Sequence, residues 1–206
     1  MIEVRNVFTP AFDDERHVYF RDKVGVGRAI PSVTQILKPV SALSYKGIPE
    51  SILQRAADLG TAVHACIELS LIDDLDETSI QDEWLPYFSA FMRFMSEVKP
   101  KTIATEQLFA CDFFAGTVDY ICQINGELWV IDWKTTNKLM PQVAIQTAAY
   151  ETLARCSGLY TSDLMRRGAV QLKNDGTYVF ETYTKIEDYL MFEQLLNIHQ
   201  WIEQNV

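Results

Sequence analysis

The sequence predicts an α/β protein in which a mixed central β-sheet is flanked by helices. Two runs of alternating polarity, 117–124 and 127–133, are rich in β-branched and aromatic residues. They flank Asn125-Gly126, a dipeptide that strongly indicates a two-residue hairpin. Helical patterns precede and follow this hairpin, and a second hairpin pattern lies further along the chain. This order of elements favours one sheet with helices packed on it.

The first 48 residues predict a lead-in hairpin and a short helix. Segments 17–21 and 24–30 have the composition of short paired or edge strands. Ser32 is placed to cap a short helix that ends before Pro39.

Two long helices are predicted before the central strands. Pro49 opens the first, which we expect to run to about Leu71 with its register interrupted at Gly60. The second is indicated by apolar residues that recur every three or four positions and so share one face: Trp84, Phe88, Phe91, Met95 and Val98.

The rest of the chain supplies the sheet and two more helices. Strands are predicted at about 102–110, 115–124 and 127–134, and Pro141 begins a helix that runs to about Ala154. Segment 168–184 predicts a hairpin that turns at Asn174-Asp175-Gly176. The last helix has an apolar stripe, at Met191, Leu195, Ile198 and Ile202.

Length and composition predict one domain with a sizeable core. The 206 residues divide into a lead-in at 1–48, a core at 49–156 and a C-terminal hairpin and helix at 157–206. A hydrophobic fraction of 48% is typical of globular proteins. The net charge of −10 argues against a protein that coats DNA with a basic surface. It does not argue against an enzyme whose phosphate contacts are local.

The chain shows no signal for a membrane or for export. No apolar run approaches the ~18 residues of a transmembrane helix. The charged N-terminal segment lacks the apolar region of a signal peptide. We therefore expect the cytoplasm, or the host cytoplasm for a phage protein, and no membrane partner.

The cysteines predict no metal cluster. Cys66, Cys111, Cys122 and Cys156 are scattered, and no CxxC pair is present. Each is read as a small buried apolar residue, and we expect no iron–sulfur cluster.

The candidate site begins with two carboxylates and an amine on the central hairpin. Asp132 and Lys134 are two residues apart in one strand and so share a face, and Asp119 lies on the partner strand. Two acidic groups beside one lysine suit a hard divalent cation and the hydrolysis of a phosphodiester. The Asp-x-Lys pattern alone is weak, because chance gives about 1.2 acid-x-Lys tripeptides in such a chain. A decoy, Glu97-Val98-Lys99, ends a predicted helix.

Three further features lie at suggestive places. His64 follows Gly60 by one helical turn, so a ligand could approach it closely, although a lone helix histidine is more often packed or exposed. Glu106 lies in the strand before the hairpin, where a solvent-facing glutamate is the ordinary alternative. Gln146 and Tyr150 share one face of the helix after Lys134, which is also typical of an interfacial helix.

The order of these features resembles a known enzyme family. Gly-x-x-x-His, Glu, Gly-x-x-Asp, Asp-x-Lys and Gln-x-x-x-Tyr follow one another from Gly60 to Tyr150. This order resembles the RecB-like branch of the PD-(D/E)xK nuclease superfamily, which includes phage-type exonucleases and the mitochondrial genome-maintenance exonuclease. His17-Val18-Tyr19 and the segment 30–34 resemble the lead-in of phage members. Val118 stands where the family name has proline.

The resemblance implies metal ligands and a fold. Asp119 and Asp132 would be the principal ligands of Mg2+ or Mn2+, His64 would assist, and the main-chain carbonyl of Trp133 would be a further candidate ligand. The implied fold is a restriction-endonuclease-like core, with 49–156 as the catalytic part.

The resemblance also implies the remaining roles. Lys134 would orient or activate the attacking water and offset negative charge on the phosphate. Glu106 would be the outer acidic residue, and Gln146 and Tyr150 would position Lys134 and the DNA backbone.

The implied function is a metal-dependent deoxyribonuclease with DNA as substrate, foremost an exonuclease of phage recombination or DNA processing. A structure-specific endonuclease on the same fold and a catalytically silent DNA-binding subunit stay open. A homo-oligomer or a recombination partner protein also stays open. No helicase motif or Walker lysine loop is present, which indicates a stand-alone module.

Strand and helix periods then predict the geometry of the site. Asp119 and Asp132 should lie side by side on one sheet face, roughly 3–6 Å apart, with Lys134 one strand step along. The helix from Pro141 should cover that face. His64 should close the pocket from the opposite side, with Glu106 at its edge.

Overall fold

The architecture is mixed α/β, as the sequence predicts. The computed structural model describes residues 6–13, 16, 18–160 and 165–206. Within these residues the central sheet has five strands, and a separate two-stranded hairpin precedes it. The hairpin consists of β1 (Ala11–Asp13) and β2 (Val18–Phe20). The sheet runs in the order β3 (Lys101–Ala110), β4 (Ala115–Ile124), β5 (Glu127–Lys134), β6 (Met165–Leu172) and β7 (Tyr178–Tyr183).

The sheet is mixed because one of its pairings is parallel. β4 lies antiparallel to β3 and β5, and β7 lies antiparallel to β6. β5 and β6 are parallel, since the connection between them includes a helix that returns the chain to the other end of the sheet.

The helices are α1 (Val33–Ile36), α2 (Lys38–Ser44), α3 (Glu50–Leu71), α4 (Leu85–Val98), α5 (Pro141–Cys156) and α6 (Glu187–Asn205). A short 3-10 helix spans Glu77–Ser79. Ser32 caps α1 as predicted, since its hydroxyl accepts a hydrogen bond from the backbone N–H of Gln35 at 3.0 Å. Gly60 does not interrupt α3, which is continuous.

Helices cover both faces of the sheet. α3 and α4 pack on one face, where Phe91 and Phe94 both contact the Trp133 ring edge to face. α1, α5 and α6 cover the other face, where Val130 lies in a cluster with Leu153 and Phe192. Successive residues of β5 point to opposite faces. Asp132 and Lys134 therefore share the face of Val130, while Trp133 points to the other.

A buried arginine joins α5, β6 and the start of α6. The Arg167 side chain is 2% exposed. Its guanidinium donates hydrogen bonds to the carbonyls of Ala144 and Lys185 at 2.7 and 2.9 Å, and to Thr147 Oγ1 at 3.3 Å. It also donates to Asp188 Oδ2 at 2.6 Å. Because each of these partners accepts a hydrogen bond from the guanidinium, the buried positive charge is compensated.

Two further predicted details differ from the structure. Segment 24–30 is not a strand, although Ile30 forms an isolated antiparallel bridge with Tyr19, and the regular partner of β2 is β1. Gly25 and Gly27 have φ of +75° and +80°, a left-handed conformation that breaks the extended pattern of the valines between and before them. His17, which belongs to the predicted first strand and to the lead-in resemblance, lies outside the described residues.

The predicted apolar stripe of the last helix is the other error. Met191, Ile198 and Ile202 are exposed, and α6 instead buries Phe192, Leu195 and Leu196 against α1 and α5. Apolar residues lie on more than one side of this helix, so periodicity alone does not select the buried face.

The Glu97-Val98-Lys99 decoy is a helix end. Glu97 pairs with Arg93 of the same helix at 2.8 Å, and Lys99 has the left-handed φ of +51° that ends α4.

Among the described residues, no helix is long and apolar enough to cross a membrane.

Candidate metal centre

The site is organised by the point at which β4 and β5 stop pairing. The two strands pair from the turn at Asn125-Gly126 as far as Tyr120 opposite Ile131. The next positions are Asp119 and Asp132. Asp119 Oδ2 accepts a hydrogen bond from the backbone N–H of Trp133 at 2.9 Å. The carboxylate of Asp119 therefore takes the place of a strand partner, and its position is fixed by the backbone of β5.

Helix α3 brings a histidine to this point. His64 Nε2 lies 2.9 Å from the carbonyl oxygen of Trp133. His64 Nδ1 lies 3.7 Å from Asp119 Oδ2 and 4.0 Å from Glu106 Oε1. A proton on Nε2 satisfies the carbonyl and leaves the lone pair of Nδ1 directed at two carboxylates. That is the arrangement of a metal ligand held by a hydrogen bond through its other nitrogen.

Glu106 reaches the site through an unusual backbone conformation. Its φ is +45°, in the left-handed region that is rare for a non-glycine residue inside a strand. The neighbours Thr105 and Gln107 keep their pairing with Tyr120 and Val118. The distortion is thus confined to the one residue whose carboxylate faces His64, which is typical of strain at a functional position.

Asp132 and Lys134 form a buried ion pair at the same place. Asp132 Oδ2 lies 2.5 Å from Lys134 Nζ, and the two side chains are 1% and 21% exposed. Among the described residues, neither oxygen of Asp132 has a hydrogen bond of ordinary angular geometry. Asp132 therefore keeps lone pairs that are not fully satisfied, although it lies deep in the protein.

The proton affinities of the two acids reflect their crowding. Burial, together with the nearby Asp119 charge and against the attraction of Lys134, raises the pKa of Asp132 to about 7. Burial, and repulsion from Asp119 and Glu68, raise the pKa of Glu106 to about 8. For Lys134, burial is more than offset by attraction to Asp132 and Asp119, so the pKa of its ammonium lies above the ordinary value. The site thus gathers negative charge that a cation would compensate.

The residues fit a divalent cation. His64, Glu106 and Asp119 each offer one ligand atom, and these atoms lie within 4.8 Å of one another. One imidazole and two carboxylates suit Mn2+ well, and the carboxylates suit Mg2+. Glu106, predicted at the edge of the site, belongs to this compact donor set, whereas Asp132 lies beside it and contacts Lys134. The carbonyl of Trp133, a predicted candidate ligand, accepts from His64.

Gln146 and Tyr150 approach the site from α5 and contact each other. Gln146 Nε2 donates to the Tyr150 hydroxyl at 3.0 Å. Burial, and then the charges of Asp119 and Asp132, raise the pKa of Tyr150 well above its ordinary value, so the phenol stays protonated. Gln146 also lines a cavity with Lys134. The structure therefore brings together all eight residues named from the sequence for this site.

Gly116 is required by the packing of Tyr150. A Cβ atom added at Gly116 would lie 2.6 Å from Cε1 of Tyr150 and 3.4 Å from Cγ2 of Val33. Since the ring is buried, Gly116→Ala should lower the free energy of unfolding by about 1–3 kcal/mol. Gly60→Ala is the matched control, because its Cβ would meet Thr135 Oγ1 at an ordinary 3.5 Å.

Urea denaturation of both variants tests this steric argument. Gly60→Ala should be neutral or stabilising by up to about 1 kcal/mol, since alanine favours a helix. Equal effects of the two substitutions would contradict the argument.

Glu68 is a site residue that the sequence reasoning missed. It lies one turn beyond His64 on α3, lines a groove together with His64 and Glu106, and raises the pKa of Glu106. The spacing His64-x-x-x-Glu68 was the available signal, because residues four apart share a helix face.

None of the four cysteines belongs to the donor set of His64, Glu106 and Asp119. Cys66, Cys111 and Cys122 are buried, Cys156 is half-buried, and all four are free thiols. Burial raises the pKa of Cys122 to about 12, which disfavours the thiolate that iron requires. We predict that elemental analysis of the purified protein will find no stoichiometric iron. A brown colour with stoichiometric iron would contradict the prediction.

Comparison with known proteins does not identify a family for this chain. No family model matches the chain, and no curated protein sequence matches it. A solved structure described as the crystal structure of SSO0001 is similar with a TM-score of 0.41 and 14% identity. The match covers 88% of this chain and 80% of that chain. A likeness at this level carries no argument about fold family or activity.

Proposed function

We propose that this protein is a metal-dependent deoxyribonuclease with a restriction-endonuclease-like core. We further propose that it is an exonuclease of the phage recombination or DNA-processing type. One observation carries the proposal. A donor set of His64, Glu106 and Asp119 lies next to the buried Asp132–Lys134 ion pair, at the point where two strands separate. Residues far apart in the chain thus combine a cation site with an adjacent positive side chain.

Each side chain has a distinct part in the proposed reaction. His64, Glu106 and Asp119 would hold Mg2+ or Mn2+, with Asp132 beside them. When bound, the ion supplies Lewis acidity that draws negative charge from the phosphate. Asp132 keeps the Lys134 ammonium in place at 2.5 Å.

Lys134 acts as a charge and not as a base. In the metal-free site the pKa of Lys134 lies above the ordinary value, so the amine is protonated there at neutral pH. A protonated amine has three donors and no lone pair. Lys134 therefore stabilises the negative charge that develops on the phosphate and orients the attacking water by donating to it. Gln146 and Tyr150, joined by their hydrogen bond, would position Lys134 and the DNA backbone.

Three forms of one DNA test the proposal. Linear, nicked and covalently closed circular DNA are incubated with Mg2+ or Mn2+, and with EDTA. An exonuclease degrades the linear form and spares the closed circle, while an endonuclease opens the circle. A silent binding subunit leaves all three intact but retards them in a gel. Appreciable cleavage in EDTA would overturn the metal dependence.

A further inference from the structure

Glu68 lies beside the candidate metal centre on helix α3 but is not one of its direct ligands. It follows His64 by four residues on a continuous helix, so the two side chains share a face, with Cβ atoms about 5–6 Å apart. Side chains of a helix lean towards its N-terminus, which directs Glu68 towards His64. Glu68 is half-buried, and it lines a groove of about 610 Å³ with His64 and Glu106. The compact donor set of His64, Glu106 and Asp119 does not include it.

The negative charge of Glu68 acts on the donor set. Burial and the charge of Asp119 contribute most to the raised pKa of Glu106, and the charge of Glu68 follows, ahead of that of Asp132. Glu68 is therefore close enough to repel the Glu106 carboxylate in the metal-free protein. A half-buried acid that repels a neighbouring acid is unfavourable, and a cation beside both removes the repulsion. Helix geometry and electrostatics thus agree that Glu68 belongs to the surroundings of the cation.

A cation held by the donor set would keep water molecules. Mg2+ prefers octahedral coordination by oxygen, so the three protein donors would leave about three positions for water. Each of these waters is a hydrogen-bond donor, and an oxygen that accepts from it lies about 4–5 Å from the ion. The groove of about 610 Å³ has room for several waters. A carboxylate one helical turn beyond the ligand His64 is placed to accept such hydrogen bonds.

We propose that Glu68 holds the cation through water, by accepting hydrogen bonds from the water molecules that complete the coordination of the ion. This inference rests on the metal centre of the proposed function and does not depend on the substrate. It also assigns a selectivity to Glu68. Mg2+ gives up water reluctantly and therefore depends on acceptors for its waters, whereas Mn2+ gains more from a direct imidazole ligand. Glu68 should thus contribute more to the binding of Mg2+ than to that of Mn2+.

The test measures metal binding in the absence of DNA. Free Mn2+ is followed by its electron paramagnetic resonance signal, and Mg2+ binding is measured as displacement of Mn2+. We expect Glu68→Gln to raise the Kd for Mg2+ about 10- to 100-fold and the Kd for Mn2+ by less than about 10-fold, because a neutral amide accepts more weakly than a carboxylate. Asp58→Asn is the matched control, since Asp58 is an exposed acid of the same helix that is hydrogen-bonded to Gln54. It should leave both constants within about 2-fold.

Glu68→Asp separates the hydrogen bonds from the charge. It keeps the charge but is one methylene shorter, so it should also lose affinity for Mg2+. Full Mg2+ affinity in Glu68→Asp, or equal losses for the two ions in Glu68→Gln, would overturn the proposed hydrogen bonds to water. Unchanged constants in Glu68→Gln would overturn any role of Glu68 and leave the metal centre standing. If the unmodified protein bound neither ion, the metal centre itself would be wrong, and this proposal with it.

Discussion

Replacing Asp132 with asparagine is expected to abolish DNA cleavage while leaving the melting temperature of the metal-free protein near or above that of the unmodified chain. Cleavage should fall on the order of 10³-fold or more, because the site loses a charge beside the cation and the anion that holds Lys134. Stability should not fall, because a buried carboxylate near Asp119 is removed. Asp119 remains to attract the ammonium.

The size of the stability gain from Asp132→Asn depends on pH. The folded-state pKa of Asp132 is about 7, above the ~3.9 of an unfolded aspartate. The folded protein therefore binds the proton more tightly, and ionisation of Asp132 reduces stability as pH rises from about 4 to about 7. The gain from Asp132→Asn should be larger at about pH 8 than at about pH 5.

Thermal melts at the two pH values, paired with a cleavage assay, check both parts. Glu97→Gln is the matched control, since Glu97 belongs to the decoy tripeptide and is paired on the surface of α4. It should leave cleavage unchanged. Cleavage by Asp132→Asn at the rate of the unmodified protein would falsify the site assignment. A stability gain that is larger at the lower pH would contradict the proposed proton linkage.

Replacing Lys134 with alanine is expected to lower the turnover number by about 10²- to 10³-fold with a much smaller loss of metal affinity. The amine contacts Asp132 and lies outside the compact donor set, so the ligand atoms of His64, Glu106 and Asp119 stay in place. Turnover is measured on linear DNA, and metal affinity by calorimetric titration with Mn2+. Lys138→Ala is the control, because Lys138 is an exposed lysine close in the chain. Equal losses of turnover and metal affinity would show that Lys134 has a different role.

Local patterns predict most of the elements around the site. The predicted strands 115–124 and 127–134 have the observed bounds, because Asn125 and Gly126 take the positive φ values that a tight hairpin requires. Pro141 begins α5 because proline is favoured in the first turn of a helix. The sharing of a strand face by Asp132 and Lys134 follows from the strand period.

Properties that depend on tertiary packing could not be predicted. The left-handed φ of Glu106 has no signal in the sequence, because glutamate does not favour that region. The insertion of Asp119 into the gap between β4 and β5 depends on where the pairing ends, which is set by the whole sheet. The buried face of α6 is chosen by α1 and α5. Arg167 follows Arg166 in the sequence, yet its side chain is buried because acceptors from α5, from α6 and from Lys185 just before α6 converge on it.

The hydrogen bonds of Arg167 affect how the protein unfolds locally. The guanidinium holds Ala144 and Thr147 of α5 and also Asp188 in the first turn of α6. If any one of these elements moved away, a buried charge would lose acceptors, at a cost of several kcal/mol. Backbone amides of α5, β6 and the start of α6 should therefore exchange with solvent deuterium as one cooperative unit. Gln146 and Tyr150 belong to that unit. We therefore expect local unfolding at the start of α6 to disturb the candidate site as well.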